Sequence, residues 1–270
     1  MWEDDLEDAS RRKLMWVTGA VVAAAIAAGG WYWYSGRAHA PAEAPAVQRA
    51  APPPAAEAAP SISHPIPGEQ SGTAALPALN DSDAVVRDSL VGVFGRAPVE
   101  QFLIPQSIVR HIVVTVDNLP RHKVAVELRP VKPTAGQTAV SGQGELTTLS
   151  EANFERYAPL TRIVQGTDVK AVAVVYERLY PLFQQAYEDL GYPGKYFNDR
   201  LVEVIDQLLQ TPEVAAPIPV VQPKVFWEYA DANLENRPAG QKLLIRMGPQ
   251  HARIIKTKLR EFRAEIVNKK

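Results

Sequence analysis

The sequence predicts an α+β protein that is predominantly α-helical: one helix-rich globular domain with a small β-hairpin, preceded by a transmembrane helix and a disordered linker. Three observations predict this organisation. Residues 14–34 carry no charge, residues 35–75 are rich in Pro and Ala without a hydrophobic period, and apolar residues recur at helical spacing from about residue 76 onwards. The expected parts are a cytoplasmic tail at 1–13, the membrane helix, the linker, and a domain of unknown function at 76–270.

The uncharged run at residues 14–34 has the properties of a membrane anchor. It begins at Leu14 and ends at Tyr34, and as a helix it would span about 31 Å, which matches a hydrocarbon core of about 30 Å. Three basic residues precede it directly: Arg11, Arg12 and Lys13. Since Lys and Arg are retained on the cytoplasmic side, we expect a single-pass protein of a bacterial inner membrane, with its C-terminal domain in the periplasm.

A cleaved signal peptide is the alternative to the anchor, because Ala38-His39-Ala40 has the small-x-small form of a cleavage site. Three features oppose it. The apolar run is longer than a typical signal-peptide core, the first eight residues are acidic rather than basic, and Pro41 follows the candidate site, where its ring makes a poor scissile position. We therefore favour the anchor.

The Pro- and Ala-rich stretch at residues 35–75, which includes Ala51-Pro52-Pro53-Pro54, is predicted to be a semi-rigid linker. Such a segment buries too little apolar surface to offset the entropy of ordering. It would reach roughly 120 Å as polyproline II and roughly 35 Å as a random coil. The tethered domain would therefore work away from the bilayer surface.

The composition argues against several classes of function. The net charge is -1, whereas a nucleic-acid binder is strongly basic, so we expect no nucleic-acid partner. The chain contains no Cys, which removes thiolate nucleophiles and Cys-based metal sites. His111, His122 and His251 lack metal-ligand spacing. We therefore expect no catalytic residue, no metal ligand and no cofactor.

Apolar periodicity predicts the elements of the domain. The longest helix is expected to begin at the cap residue Asp168 and to lie at the centre of the core, because two apolar stripes cover most of its circumference. Pro181 should bend it on its polar face. A turn is predicted at residues 117–120, and alternation predicts a strand at 124–131 with a hairpin partner at 136–144. Shorter helices are predicted before Gly95, at 99–103, and from Pro105, Ser150 and Asn198 onwards. A helical hairpin is predicted at 240–247 and 250–267. A short extended segment is expected at Phe226 and Trp227.

The run Asn198-Asp199-Arg200 permits two interpretations. As a helix start, Asn198 would be the N-cap and Asp199 would face the positive end of the helix dipole. As a functional site, Asp199 and Arg200 would belong to a surface that contacts a partner, and we place Lys242 and Arg246 on the same candidate surface. We favour the cap.

Charge is distributed unevenly along the domain. Residues 80–236 hold 14 Lys/Arg and 20 Asp/Glu, a balance of -6, whereas residues 237–270 hold 10 Lys/Arg and 2 Asp/Glu, a balance of +8. The basic C-terminal segment either docks on the acidic remainder or binds an anionic partner such as lipid headgroups or wall polymer.

Several segments resemble an uncharacterised family of proteobacterial proteins, domain of unknown function number three thousand and fourteen. The most specific are YFNDR at residues 196–200 and AGQKLLIRMG at 239–248. The resemblance implies a membrane-anchored envelope protein and brings no activity, cofactor or catalytic residue.

The expected function is therefore a non-catalytic binding or scaffold module, tethered to the inner membrane and contacting an unknown periplasmic protein or envelope polymer. The alternative is a carboxylate-dependent enzyme that acts on a cell-wall or envelope polymer. Glu177 and Glu188 are its candidate acids, although both are expected at the surface.

Overall fold

Ten α-helices and two short antiparallel hairpins form the part of the chain that the computed structural model describes, residues 62–66, 76–123 and 125–267. The helices are α1 (Asp83–Phe94), α2 (Arg96–Phe102), α3 (Ile108–Asn118), α4 (Glu151–Glu155), α5 (Ala158–Gly166), α6 (Val169–Asp189), α7 (Phe197–Leu209), α8 (Ala232–Glu235), α9 (Ala239–Arg246) and α10 (Pro249–Val267). The strands are β1 (Val140–Ser141), β2 (Thr148–Leu149), β3 (Val220–Val221) and β4 (Glu228–Tyr229). Three single-turn 3₁₀ helices cover Leu79–Asp81, Val126–Leu128 and Gly144–Leu146. The predicted helix-rich fold with a small hairpin is confirmed for these residues.

Helix α6 forms the centre of the core, as its two apolar stripes predicted. The carboxylate of Asp168 accepts a hydrogen bond from the Lys170 backbone N–H at 2.9 Å and caps the helix. Pro181 lies on the exposed side, where water can satisfy the carbonyl that its ring leaves unbonded. The other sides of α6 face the core, where its buried residues include Tyr176, Leu179, Tyr180, Leu182, Phe183, Ala186 and Tyr187.

The other long helices pack around α6. Helix α3 lies against α6 and α7, and α10 lies against α5, α6 and α7. The predicted helical hairpin is confirmed: α9 and α10 are separated at Gly248, whose φ of +87° is a left-handed conformation that favours glycine. Gly95, with φ +85°, ends α1 as expected.

The two hairpins share a second, smaller hydrophobic cluster. Val140 faces Leu149 in the first hairpin and Val220 faces Tyr229 in the second. A bridge between Thr148 and Pro219 links them. Leu149, Val220 and Tyr229 are buried there with Phe154 of α4, Ile218 and Ile245 of α9.

Two predictions between α3 and β1 need correction. The turn predicted at residues 117–120 begins two residues later, because α3 continues through Asn118 and the turn follows at 119–120. The strand predicted at 124–131 is replaced by the 3₁₀ helix Val126–Leu128, and of that range only Val131 forms an isolated bridge, with Leu103. Alternation alone made the segment look like a strand, but no partner strand faces it among the described residues.

Other hairpin and helix boundaries also differ from the prediction. Helix α2 begins at Arg96 instead of residue 99, and α3 begins at Ile108 instead of Pro105. β1 lies within the range predicted as a hairpin partner, but it pairs with residues 148–149. Phe226 lies in the β3–β4 loop and is 79 % exposed, and the extended residues follow at Glu228–Tyr229. Helix α7 begins at Phe197, one residue before the predicted cap, so Asn198 is in its first turn.

Five residues of the range predicted as linker are folded onto the helical domain. Residues 62–66 contact the start of α7, and the side chain of Ile66 is buried in the main core. These five residues therefore belong to the folded unit. The cytoplasmic tail, the membrane helix and the rest of the predicted linker lie outside the described residues. Within the described ranges, no helix combines the length and apolar character needed to cross a bilayer.

Candidate functional site

A large apolar cavity lies among the helices of the main core. Its volume is about 390 Å³, and its lining side chains are aliphatic, aromatic or proline. Helices α1, α2, α3, α5, α6, α7 and α10 all contribute, for example through Leu90, Phe102, Ile112 and Val175. Because seven helices contribute between one and five side chains each, the cavity is a property of the tertiary packing rather than of any one segment.

The size of this cavity is unusual for a packed interior. Protein cores are close-packed, with few voids larger than a water molecule. An engineered apolar cavity of about 150 Å³ stays dry and binds benzene, and ligand pockets have volumes of about 300–1,000 Å³. A cavity of about 390 Å³ therefore falls in the range of a ligand pocket rather than of a packing defect.

The cavity has an exposed lip formed by residues 125–132. Pro130 and Val131 line the cavity, and Val131 is 37 % exposed. The backbone here is paired with the end of α2: the Ile104 N–H donates to Pro130 at 2.9 Å and the Lys132 N–H donates to Phe102 at 2.8 Å. These bonds fix the lip beside the cavity. On the same lip Val126 is 53 % exposed and Leu128 is 42 % exposed, so apolar side chains face solvent.

A second, polar cleft of about 450 Å³ lies at the start of α7. It is lined by acidic, basic and tyrosine side chains: Asp117, Tyr187, Tyr192, Lys195, Tyr196, Asp199, Arg200 and Glu203. The Asp117 carboxylate is almost completely buried. It accepts hydrogen bonds from the Arg121 Nη2 at 2.5 Å, the Arg200 Nε at 3.1 Å and the Tyr192 hydroxyl at 3.2 Å. The turn prediction missed this residue, because its role depends on groups far away in the sequence.

Burial and ionic pairing set the proton affinities in the cleft. Burial opposes the charge of Arg200, but the hydrogen bond to Glu203 at 2.9 Å and the charges of Glu203 and Asp117 outweigh it, so the pKa of Arg200 is raised. Burial also raises the pKa of the Tyr187 phenol to about 12, although the nearby Arg200 opposes the shift. The arginine and this phenol are therefore both protonated at neutral pH.

The first turn of α7 holds residues 62–66. The Asp199 carboxylate accepts hydrogen bonds from the backbone N–H of Ser63 at 3.1 Å and of His64 at 2.7 Å. The Asn198 amide donates to the His64 carbonyl at 2.8 Å and accepts from the Tyr176 hydroxyl at 3.0 Å. Asn198 is completely buried. The prediction that Asn198 is the N-cap is therefore wrong, because its side chain bonds other elements instead of its own helix.

The four residues predicted as one partner surface form two separate groups. Asp199 and Arg200 line the polar cleft. Lys242 lies instead beside Glu235, with its Nζ 2.6 Å from the carboxylate, and Arg246 donates to the Trp227 carbonyl at 2.8 Å. Lys242 and Arg246 therefore stabilise the region of the second hairpin, and they line neither the apolar cavity nor the polar cleft. Burial opposes ionisation of Glu235, but the bond from Lys242 helps to keep the pKa of that carboxyl lowered.

The candidate acids of the enzyme alternative lie outside the polar cleft. Glu177 is half-buried on α6, and Glu188 is exposed and accepts a hydrogen bond from the Gln184 side chain at 2.7 Å. In the part of the chain that the structure describes, neither acid lines the apolar cavity or the polar cleft.

The basic C-terminal segment makes several contacts with the rest of the domain. Arg263 forms a two-pronged ion pair with Asp206 at 2.6 and 2.9 Å, and Arg253 pairs with Glu213 at 3.3 Å. The Lys256 ammonium is buried and donates to the Thr211 carbonyl at 2.8 Å. These contacts agree with internal docking of the segment.

Comparison with known proteins gives one match. A family model described as "Protein of unknown function (DUF3014)" matches residues 108–263, which is more than half of the 270-residue chain. No curated protein and no solved structure matches. The matched range contains α3 to α9 and most of α10, so it includes lining residues of both the cavity and the cleft.

Proposed function

We infer the function from the cavity. The chain belongs to the DUF3014 family, as the resemblance predicted, but that family is described only as proteins of unknown function. We propose a non-catalytic binding module, tethered to the bacterial inner membrane, whose domain takes an apolar ligand in the periplasm. The cavity of about 390 Å³ carries this proposal. An apolar occupant would make dispersion contacts along this lining and would exclude water from it.

The alternative, a carboxylate-dependent enzyme, has less support. The polar cleft holds three carboxylates, but each of them already has partners. Asp117 is bonded by two arginines and a tyrosine, Asp199 by two backbone N–H groups, and Glu203 by Arg200. A general acid or base needs a proton-exchanging group within reach of a substrate. Carboxylates held in this way favour a structural role for the cleft.

The location of the module is supported by the sequence. The uncharged run at residues 14–34 is long enough to span a bilayer, and the basic residues 11–13 would keep the N-terminus in the cytoplasm. The domain would then be exposed to amphiphiles of the envelope, which supply the apolar chains that such a cavity fits.

The proposal is tested by filling the cavity. Val175 lines it, whereas the preceding residue Val174 is 60 % exposed on the same helix. The full chain is placed in phosphatidylcholine nanodiscs and labelled with myristyl alcohol that carries a diazirine. We expect labelled peptides from α3 and α6. Val175→Phe should lower this labelling about tenfold or more, because pocket contacts discriminate by single carbon groups, and Val174→Phe should leave it unchanged.

A folding measurement accompanies the labelling. Filling a void adds contacts, so Val175→Phe should keep or raise the thermal midpoint. Loss of labelling together with a lowered midpoint would indicate misfolding, and a second cavity variant, Leu90→Phe, then replaces it. Equal labelling of wild type and both cavity variants would refute the proposed function.

A further inference from the structure

We propose that the cavity binds a single-chain anionic amphiphile, a fatty carboxylate, whose headgroup pairs with Arg129 at the lip. This inference rests on the proposed function and names the class of ligand. Three observations support it: the volume of the cavity, the side chains on the lip, and the buried Nε of Arg129, which has no hydrogen-bond acceptor among the described residues.

The volume fits one acyl chain. A cavity of about 150 Å³ takes one benzene ring of six carbons, so about 390 Å³ takes about fifteen carbon atoms at the same density. One long acyl chain has about this bulk, whereas a two-chain phospholipid has about twice as much. The observed cavity therefore favours a ligand with one chain.

The lip is suited to the polar end of such a ligand. Val126, Leu128 and Val131 are exposed apolar residues, and Val131 also lines the cavity. Arg129 and Lys132 stand on either side of Pro130 and Val131 in the sequence. Basic and apolar side chains placed together suit an amphiphile with a negative head, because the chain enters the cavity while the head stays at the charged rim.

Arg129 differs from the other basic residues around this opening. Arg96 pairs with Glu100 at 3.4 Å, and the Lys132 ammonium donates to the Glu100 carbonyl at 2.9 Å. Arg129 is half-buried and its Nε has no hydrogen-bond partner within the described ranges. A buried N–H of a guanidinium without an acceptor is costly, because its desolvation is not offset by a hydrogen bond. A ligand carboxylate would provide the missing acceptor.

The acidic residues Glu127 and Glu100 lie near the lip, but they do not provide an acceptor for Arg129. Glu127 is exposed on the 3₁₀ helix of the lip and Glu100 is engaged by Arg96. Neither forms an ion pair with Arg129 in the part of the chain that the structure describes. The guanidinium is therefore the group that can recognise a carboxylate by paired N–H···O bonds.

The experiment compares headgroups on one chain. Diazirine-labelled myristate, myristyl alcohol and myristyl trimethylammonium are titrated against the full chain in phosphatidylcholine nanodiscs. We expect half-maximal labelling of α3 and α6 by myristate at a concentration about tenfold or more below that of the alcohol, since hydrogen bonds to charged groups contribute about 1.5–3 kcal/mol. The cationic probe should label most weakly.

Two variants that each lose one positive charge distinguish recognition of the headgroup by Arg129 from a general effect of net charge. Arg129→Gln should remove the advantage of myristate while labelling by the alcohol stays unchanged. Arg253→Gln, at an exposed site paired with Glu213, should keep the full advantage. Retention of the myristate preference in Arg129→Gln would overturn the assignment of this residue.

The outcomes distinguish this inference from the proposed function. Equal labelling by acid and alcohol, with both blocked by Val175→Phe, would refute the anionic ligand and leave the apolar binding module standing. Loss of myristate labelling when phosphatidylglycerol is added to the nanodiscs would identify a two-chain lipid and overturn the single-chain ligand. Absence of cavity labelling by every probe would refute the proposed function itself.

Discussion

At the scale of single residues, Asn198 connects three parts of the molecule through one buried amide. Its nitrogen donates to the carbonyls of His64 at 2.8 Å and Ile266 at 3.4 Å, and its oxygen accepts from the Tyr176 hydroxyl at 3.0 Å. The amide therefore joins the chain entering the domain, the end of α10 and the central helix. The side chain of an N-cap residue would instead accept a hydrogen bond from a backbone N–H of its own helix.

Removal of this amide should be more damaging than loss of a cap. Asn198→Ala leaves the Tyr176 hydroxyl and the two carbonyls without their buried partner, and we expect a loss of about 1–3 kcal/mol for each unsatisfied group. Urea unfolding measures it. Asn233→Ala, at an exposed position of α8, should change stability by less than about 0.5 kcal/mol. Similar small losses for both variants would contradict the structural role of Asn198.

Buried tyrosines should make the fold sensitive to alkali. Burial raises the pKa of the Tyr187 phenol to about 12, whereas an unfolded tyrosine titrates near 10.0. The unfolded chain then binds fewer protons than the folded chain, so stability falls as pH rises. The contribution of this group is complete below about pH 10 and is lost towards about pH 12.

The comparison with Tyr187→Phe isolates this titration. Urea midpoints are measured at about pH 9 and about pH 11.5, and the wild type should lose more stability between them than the variant. Burial also raises the pKa of Tyr176, but that residue is present in both proteins and its effect cancels. An equal loss in the two proteins would show that Tyr187 does not contribute.

At the scale of elements, two glycines have opposite roles. Gly248 separates α9 from α10 with φ +87°, and a Cβ there would lie 2.7 Å from the Phe154 Cγ. Gly92 lies inside α1, and nothing lies within 4 Å of the place of its Cβ. The first glycine is required by backbone conformation and by close packing, whereas the second only weakens its helix.

Alanine at these two positions should therefore shift stability in opposite directions. Gly248→Ala combines a left-handed backbone, which costs about 1–2 kcal/mol, with a clash in the second cluster, so we expect a loss of about 2 kcal/mol or more. Gly92→Ala should gain about 0.5–1 kcal/mol. Thermal unfolding of the two single variants measures both, and a shared sign would show that one of these conformations is misassigned.

The elements that the sequence predicted well are those whose signal is local. The cap at Asp168, the stripes of α6 and the break at Gly248 each depend on neighbouring residues. The strand predicted at 124–131 failed because alternation says nothing about whether a partner strand is available. The cavity could not be predicted, since its lining comes from seven helices and the lip, and apolar residues that line a void look the same in sequence as those that fill a core.

At the scale of the whole molecule, α7 joins the entering chain, the cleft and the cavity. Asn198 and Asp199 hold residues 62–66, Arg200 lies in the polar cleft, and Phe197 and Leu201 line the apolar cavity. Three sides of one helix thus face three different surroundings. The chain that leads from the proposed anchor is therefore hydrogen-bonded directly to the helix that borders the proposed ligand site.

The proposed orientation predicts where each end of the chain lies. Alkaline phosphatase needs disulfides, which form in the periplasm and not in the cytoplasm, so its activity reports export. A fusion after Leu79 should be active and a fusion after Lys13 should be inactive, because the apolar run lies between these positions. Replacing the three basic residues at 11–13 by Asn should lower the activity of the first fusion, since those charges set the orientation. The opposite pattern of the two fusions would refute the periplasmic domain. An active domain released into the soluble fraction would show that cleavage follows Ala40, and that the protein has a signal peptide instead of an anchor.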